Sequence, residues 1–308
     1  MTVPTITLNN GTTIPQLGFG VFQVPPEDTA AVTTKALEVG YRHIDTAQMY
    51  RNEAGVGDAI RDSGIAREEL YVTSKLNNGF HRPDDAKRAF DETMQRLGLD
   101  RIDLFLIHWP LPTRYDGDFV STWRTLASFV DDGRAASVGV SNFQPAHLER
   151  IIEETGVVPA VNQIEVHPYF GNEAARAASH DRGVAVEAWS PIAQGAVLDD
   201  EVLGKIAAAH GKTVSQVTLR WHVERGDIVF PKTTHEERMR ENFEIFDFSL
   251  TPDEVAAISA LDRGAEGRRG EDRLLRLRRV EPGVDENDLP LHRRVHRPRP
   301  VKERVHQA

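Results

Sequence analysis

Three titratable residues, Asp45, Lys75 and His108, stand 30 and 33 positions apart, each at the end of a short apolar run: "YRHID", "LYVTSK" and "IDLFLIH". One strand and one helix fill such a spacing, so the three side chains are expected on successive strand exits facing one mouth. Asp45 and Lys75 on neighbouring exits can form a buried ion pair, and Tyr50, five residues after Asp45, can lie over it. A phenol titrates near ~10, and an ammonium beside it favours the phenolate and draws that value toward neutrality. Such a tyrosine can protonate a carbonyl oxygen as charge develops on it, while His108 hydrogen-bonds the same oxygen and orients the carbonyl. No side chain delivers hydride, so this chemistry calls for a bound reductant.

The other expected exits offer places for one. Trp189, followed by Ser190, presents a flat face for stacking a ring. Ser141, Asn142 and Gln163 carry donors and acceptors suited to a carboxamide. In "PKTTHEERMREN", Lys232 ends a strand and Thr233, Thr234 and Arg238 open a helix, where free N–H groups and the dipole favour phosphate. Two cations at that place suggest an additional phosphate. The competing reading of Lys232 and Arg238 is a solvated helix face paired with Glu236, Glu237 and Glu241.

The elements that must hold these residues are legible in the punctuation of the chain. Asn10-Gly11 between "ITL" and "TTIP" signals a two-residue hairpin. Gly40, Gly64, Gly98, Gly133, Gly156, Gly183 and Gly226 each close a segment with helical periodicity. In 84–97, for example, Ala86, Phe90, Met94 and Leu97 share one face. A short apolar run follows each of those glycines, and with "LGFGV" they make eight candidate strands. Strand and helix alternating eight times predicts an α/β fold, a parallel (β/α)8 TIM barrel with the N-terminal hairpin closing the bottom. A doubly wound dinucleotide fold would carry G-x-G-x-x-G after its first strand, which "GFGVFQ" does not complete.

Composition limits the alternatives. There is no cysteine, so disulfides, thiolate metal sites and cysteine nucleophiles are excluded. The N-terminus has no signal-peptide pattern and no long apolar run occurs, so a cytoplasmic protein without membrane attachment is expected. Residues 263–308 hold 13 Lys/Arg against 8 Asp/Glu, net +5, which leaves −15 on residues 1–262 of a chain whose formal charge is −10. An acidic body gives no reason to expect nucleic-acid binding.

Eight stretches in order, "GFGVF", "GYRHIDTAQMY", "VTSKL", "DLFLIHWP", "SVGVSNF", "PAVNQIEVHPYF", "WSPIAQG" and "PKTTHEERMRENFEIFDFSLT", resemble the aldo-keto reductase family over residues 6 to 262. The chain looks most like the bacterial 2,5-diketo-D-gluconate reductases. The resemblance implies metal-free, NADPH-dependent reduction of a small-molecule carbonyl; a monomer is expected. It makes Tyr50 the general acid, Asp45 and Lys75 its tuners and His108 the orienting residue. It places the cofactor against Gly20, Val21, Phe22, Ser141, Asn142, Gln163, Trp189, Ser190 and Thr234, its 2′-phosphate against Lys232, Thr233 and Arg238, and its adenine side near Asn242. Phe22, Met49, Asn77 and Trp109 would line a part-apolar substrate pocket; Asn77 stands where relatives often carry an aromatic residue. Small polar carbonyls, sugar-derived ketones or 2-oxo aldehydes, are expected over steroids.

Two other classes compete with this reading. A metal-dependent barrel hydrolase would draw on His43, Asp45, His108, Glu165 and His167, without a third histidine-rich exit to complete its site. A binding or regulatory protein on the same fold would keep the NADPH site and lose turnover. Two domains of unequal kind are expected: a catalytic barrel at 1–262 and an atypical basic tail at 263–308, whose charge and proline content suit a solvated segment.

Overall fold

The computed structural model describes residues 2–268. The chain starts with an antiparallel hairpin, β1 (Thr5–Thr7) and β2 (Thr13–Pro15). Its loop differs from the two-residue turn expected at Asn10-Gly11. The Gly11 N–H donates to the Leu8 carbonyl and the Leu8 N–H to the Thr12 carbonyl, which leaves three loop residues, with Gly11 at φ +83°. The geometry is that of a turn closed by a bulge, where only the last loop residue needs a left-handed backbone. Gly11 therefore matters for its φ, and Asn10 is released to bind elsewhere.

Eight parallel strands follow: β3 (Phe19–Gly20), β4 (His43–Asp45), β5 (Tyr71–Leu76), β6 (Ile102–Ile107), β7 (Ala135–Ser141), β8 (Val161–Glu165), β9 (Ala185–Trp189) and β10 (Ile228–Val229), each hydrogen-bonded to its sequence neighbours. The seam between β3 and β10 is narrow. It is joined by the Gly18 N–H to the Val229 carbonyl at 2.7 Å, the Val229 N–H to the Gln16 carbonyl at 3.0 Å and the Gly20 N–H to the Pro231 carbonyl at 3.2 Å. A Cβ on Gly20 would stand 2.9 Å from the Phe230 carbonyl oxygen, so the close approach at this seam requires glycine. The eight observed strands coincide with the eight apolar runs, and the (β/α)8 barrel is the fold.

The helices alternate with the strands: α1 (Pro26–Val39), α2 (Glu53–Asp62), α3 (Pro83–Leu97), α4 (Val120–Asp131), α5 (Pro145–Thr155) and α6 (Glu173–His180). Between β9 and β10 lie two, α7 (Glu201–His210) and α8 (Val214–Glu224), and after β10 come α9 (Glu236–Phe243) and α10 (Pro252–Ser259). All seven glycines expected to end helices have φ between +66° and +124°. Proline opens α1, α3, α5 and α10, where its missing N–H leaves no bond unmade. None of the described helices is long and apolar enough to cross a membrane.

The hairpin covers the N-terminal ends of the barrel strands. Leu8 and Ile14 are buried with Tyr71, Leu104, Ala160, Val161 and Ile228, while the Asn10 amide donates to the Ala136 carbonyl and to Ser137 Oγ. Full burial of one such aliphatic side chain is worth about 1.5–3 kcal/mol. Past α10, the Arg263 N–H bonds the Tyr169 carbonyl and its guanidinium stacks 3.6 Å from the Tyr169 ring centroid. Of the tail expected at 263–308, residues 269–308 lie outside the described residues.

Candidate active site

Each titratable residue expected at the mouth stands at the C-terminal end of a barrel strand. Asp45 is the last residue of β4, Lys75 the penultimate residue of β5, and His108 follows β6 directly. Lys75 Nζ donates to both Asp45 carboxylate oxygens, at 2.7 and 2.8 Å, and to the Thr46 carbonyl at 2.8 Å. All three donors of the ammonium are satisfied, and its side chain is completely buried. Burial works against its charge, but Asp45, Tyr50 and Glu187 outweigh that and raise its pKa above the ordinary lysine value.

Tyr50 ends a short 3-10 turn, Gln48–Tyr50, that is tied down on both sides. Gln48 donates to the Ala89 carbonyl and accepts from the Asn77 N–H; Asn52 donates to the carbonyls of Val21 and Val24 and accepts from Thr46 Oγ1. The tyrosine ring lies with its centroid 5.1 Å from Lys75 Nζ and meets the His108 ring edge-on at 5.9 Å. Tyr50, Lys75, Asp45 and His108 are thus one cluster.

The phenol departs from expectation in its acidity. Burial raises the Tyr50 pKa, Lys75 lowers it, and Asp45 raises it again, so the net displacement is upward from 10. The ammonium reduces a desolvation penalty rather than overcoming it, because its own charge is largely neutralised by Asp45 at contact distance. At neutral pH the group is a phenol, the form that donates a proton. His108, half-buried, has its pKa pulled down to about 3 by burial and then by Lys75 and His81, so it is a neutral imidazole.

The remaining exits form a second hydrogen-bonded set. Ser141 Oγ donates to the Gln163 carbonyl; Asn142 Nδ2 donates to the His108 carbonyl and to Ser141 Oγ; Trp189 Nε1 donates to Asn142 Oδ1 at 3.0 Å. Asn142 and Ser190 hold left-handed backbones, φ +65° and +51°, a conformation that clusters at functional sites in residues other than glycine. The donors expected to face a carboxamide are therefore already engaged with one another and fix the Trp189 ring. Gln163 Nε2 donates to Asp45 and to Glu187, and among the described residues nothing donates to its Oε1.

Gly20 and Val21 sit in the barrel wall with Val21 fully buried, so they can offer a ligand only backbone. Phe22 projects beside Tyr50, ring centroids 5.0 Å apart, and remains 47% exposed, an aromatic face left open at the mouth. Met49, Asn77 and Trp109 are half-buried. Asn77 Oδ1 accepts from the Gly79 N–H, leaving its amide nitrogen as the hydrogen-bonding group it can present.

After β10, Thr233 Oγ1 accepts from the His235 N–H one residue before α9. Lys232, Thr234 and Arg238 are exposed, and Asn242 is buried on the inner face of α9. The paired-surface alternative fails here: Glu236 binds Arg240, Glu241 accepts from Thr213, and neither Lys232 nor Arg238 meets a carboxylate among the described residues. Two uncommitted cations flanking a helix start fit a phosphate group. The hydrolase alternative has no comparable support. His43 bonds Thr73 and His167 bonds Glu165, and no three His, Asp or Glu side chains gather in metal-holding geometry among the described residues.

Glu187 is a member of this site that the strand exits alone do not reveal. It lies in the middle of β9, fully buried, rather than at a strand end. A glutamate inside an otherwise apolar parallel strand, "AVEAW", was the available signal, since such strands are covered on both faces.

The aldo/keto reductase family model covers residues 15–263, and the chain belongs to that family. It is 49% identical over 261 residues to an aldo-keto reductase of Mycolicibacterium smegmatis, covering 85% of this chain and 94% of the relative. It is 46% identical over 264 residues to the methylglyoxal reductase DkgA of Yersinia pestis, covering 85% and 94%. Among solved structures, a Gox0644 mutant crystallised in complex with NADPH matches with a TM-score of 0.84 at 43% identity, over 88% of this chain and 98% of that one.

Proposed function

We propose that this enzyme reduces small polar aldehydes and ketones, 2-oxo aldehydes and sugar-derived ketones among them, to alcohols, with NADPH as reductant and Tyr50 as general acid. The observation that carries the reading is Lys75 Nζ, bound to Asp45 at 2.7 Å and 5.1 Å from the Tyr50 ring, beside a neutral His108. NADPH would supply hydride to the carbonyl carbon. Lys232 and Arg238 would hold its extra phosphate, and Trp189 and Gln163 Oε1 would receive the nicotinamide ring and its carboxamide.

The chain's own work is polarisation and proton delivery. His108 donates one N–H to the carbonyl oxygen and fixes its direction. Tyr50 gives that oxygen its proton as negative charge grows there. Lys75 then stabilises the phenolate left behind, an electrostatic contribution that exists only once the proton has moved. Phe22, Met49 and Trp109 exclude water, and the Asn77 amide offers a donor to a second oxygen of a polar substrate. The relative named methylglyoxal reductase supports the substrate class.

The test is loss of NADPH absorbance with methylglyoxal, a diketo-sugar acid and a bulky steroid ketone. Turnover is expected with the first two and kcat/KM lowest for the third. Tyr50→Phe should lose about 10²–10⁴-fold in kcat while its fluorescence is still quenched by NADPH. A variant as fast as the parent rejects the mechanism.

A further inference from the structure

Below the Lys75–Asp45 pair the barrel interior holds a second acid that proton delivery by Tyr50 does not use. Gln163 Nε2 donates one N–H to Asp45 Oδ2 and the other to Glu187 Oε2, both at 2.8 Å. Two carboxyl oxygens meet the same end of one amide. Turning the amide over would set its carbonyl against the Lys75-bound Asp45 carboxylate, which only accepts, so Asp45 dictates which end of Gln163 faces the mouth. Glu187 is thereby joined to Lys75 through two hydrogen bonds and one ion pair.

The surroundings of Glu187 favour its neutral form. Its side chain is wholly buried, and its Oε1 has no hydrogen-bond partner among the described residues. The groups facing it are Asp45 and His43 from β4, Lys75 and Tyr71 from β5, and Gln163 from β8. His43 Nε2 stands 3.8 Å from Oε1 but bonds Thr73 Oγ1 at 3.1 Å, and burial keeps the ring neutral, with its pKa down at about 3. Tyr71 is a buried phenol held protonated by burial. Lys75 and Asp45 offset each other. A carboxylate at 187 would therefore be one uncompensated negative charge in the barrel core, repelled by Asp45 and acting with Asp45 and Tyr50 to keep the Lys75 ammonium charged.

We propose that Glu187 is a positioning residue of the reductase site, whose ionisation holds the Lys75–Tyr50 pair protonated and so sets the alkaline limit of proton donation to the carbonyl. The inference rests on the mechanism proposed above. Burial, and then Asp45, push the Glu187 pKa up to about 8, which puts its ionisation within the pH range where the enzyme can be assayed. Below that range Glu187 is neutral, and Gln163 alone connects it to the pair. Above it, the added negative charge opposes loss of a proton from Lys75 and so preserves the ammonium beside Tyr50.

Glu187→Gln keeps the size of the side chain and an oxygen for Gln163 while removing the charge. The alkaline limb of kcat/KM for NADPH-dependent carbonyl reduction is expected to move to lower pH by about half a unit or more, and alcohol oxidation should begin correspondingly earlier. Glu187→Asp, which can still ionise, should restore the parent's limb. Stability supplies an independent reading. A carboxyl raised from 4.5 to about 8 in the folded protein contributes stability that is fully present below 4.5 and lost as pH rises through 8. Glu187→Gln should accordingly melt with the parent at pH 5 and above it at pH 9. On the parent itself, difference infrared between pH 6 and 9 should show a buried carboxylic acid losing its proton. An unmoved limb in Glu187→Gln, melting curves that do not diverge, or no such infrared band would each overturn the proposal. Undiminished turnover by Tyr50→Phe would instead reject the proton-donor reading and leave the melting and infrared results to report on Glu187 alone.

Discussion

The two ends of the barrel solve opposite problems with the same strands. At the bottom, Leu8, Ile14, Leu104 and Val161 are shut off from water, and the polar groups of the hairpin find fixed partners on β7 and the segment before β8. At the mouth, Asp45, Lys75, Tyr50 and His108 are gathered where charges are costly, and Phe22 stays open to solvent. A bottom residue acts by excluding water from apolar surface, and its loss is felt in stability. A mouth residue holds charge in a medium that resists it, and under the proposed mechanism its loss is felt in the reaction.

Removing one residue from each end separates these roles. Lys75→Met should cost about 10³-fold or more in kcat, and because Asp45 is left buried without its cation, roughly 3–5 kcal/mol of stability as well. Ile14→Ala should cost about 2–5 kcal/mol by denaturant unfolding with kcat changed less than about threefold, since a cavity at the hairpin leaves the exits in place. Comparable losses of turnover in the two variants would dissolve the distinction.

A smaller effect belongs to the phosphate site proposed at Lys232 and Arg238. Replacing Lys232 and Arg238 together with glutamine should raise KM for NADPH about 10–100-fold and leave KM for NADH within about threefold, because ion pairs to one phosphate at an exposed site are worth a few kcal/mol at most. Equal effects on both cofactors would show that the two cations serve the shared pyrophosphate instead.

A further effect is a slope with pH shared by both ends. His43 lies deep in the barrel and His108 at the mouth, each with its pKa lowered from 6.5 to about 3 by burial, and His81 is lowered to about 4. These rings take up protons on unfolding before they do so in the folded state. The stability they preserve is complete above 6.5 and is lost as pH falls toward 3. For fully buried His43 the loss is about 1.4 kcal/mol per pH unit within that window. Melting temperatures measured from pH 7 to pH 4 should fall, and His43→Gln should flatten the slope without moving the acid limb of turnover. His108 does not titrate in the range of activity, so no protonation of its ring should appear in the kinetic pH profile above about pH 5.

Legibility in the sequence followed from how local each constraint is. The eight strands were readable because glycine at a helix end is a backbone requirement of one residue, met at Gly40, Gly98 and Gly156 by positive φ. The grouping of Asp45, Lys75 and His108 was readable because the βα repeat converts spacing along the chain into adjacency at the mouth. The loop at Asn10-Gly11 is one residue longer than the dipeptide signals, since whether a turn ends in a bulge depends on where β2 pairs with β1, a partner the dipeptide does not contain.

By itself the sequence determined the barrel, the order of its strands and the identities of the groups at their exits, because periodicity, turn residues and repeat length act within a few tens of residues. Only the tertiary structure decided the charges those groups carry. Tyr50 becomes a weaker acid rather than a stronger one, Glu187 joins the network through Gln163, and Arg238 stays free while Glu236 turns to Arg240. Those outcomes depend on how much water each group loses and which neighbours reach it, and both are set by distances that exist only after the barrel has closed.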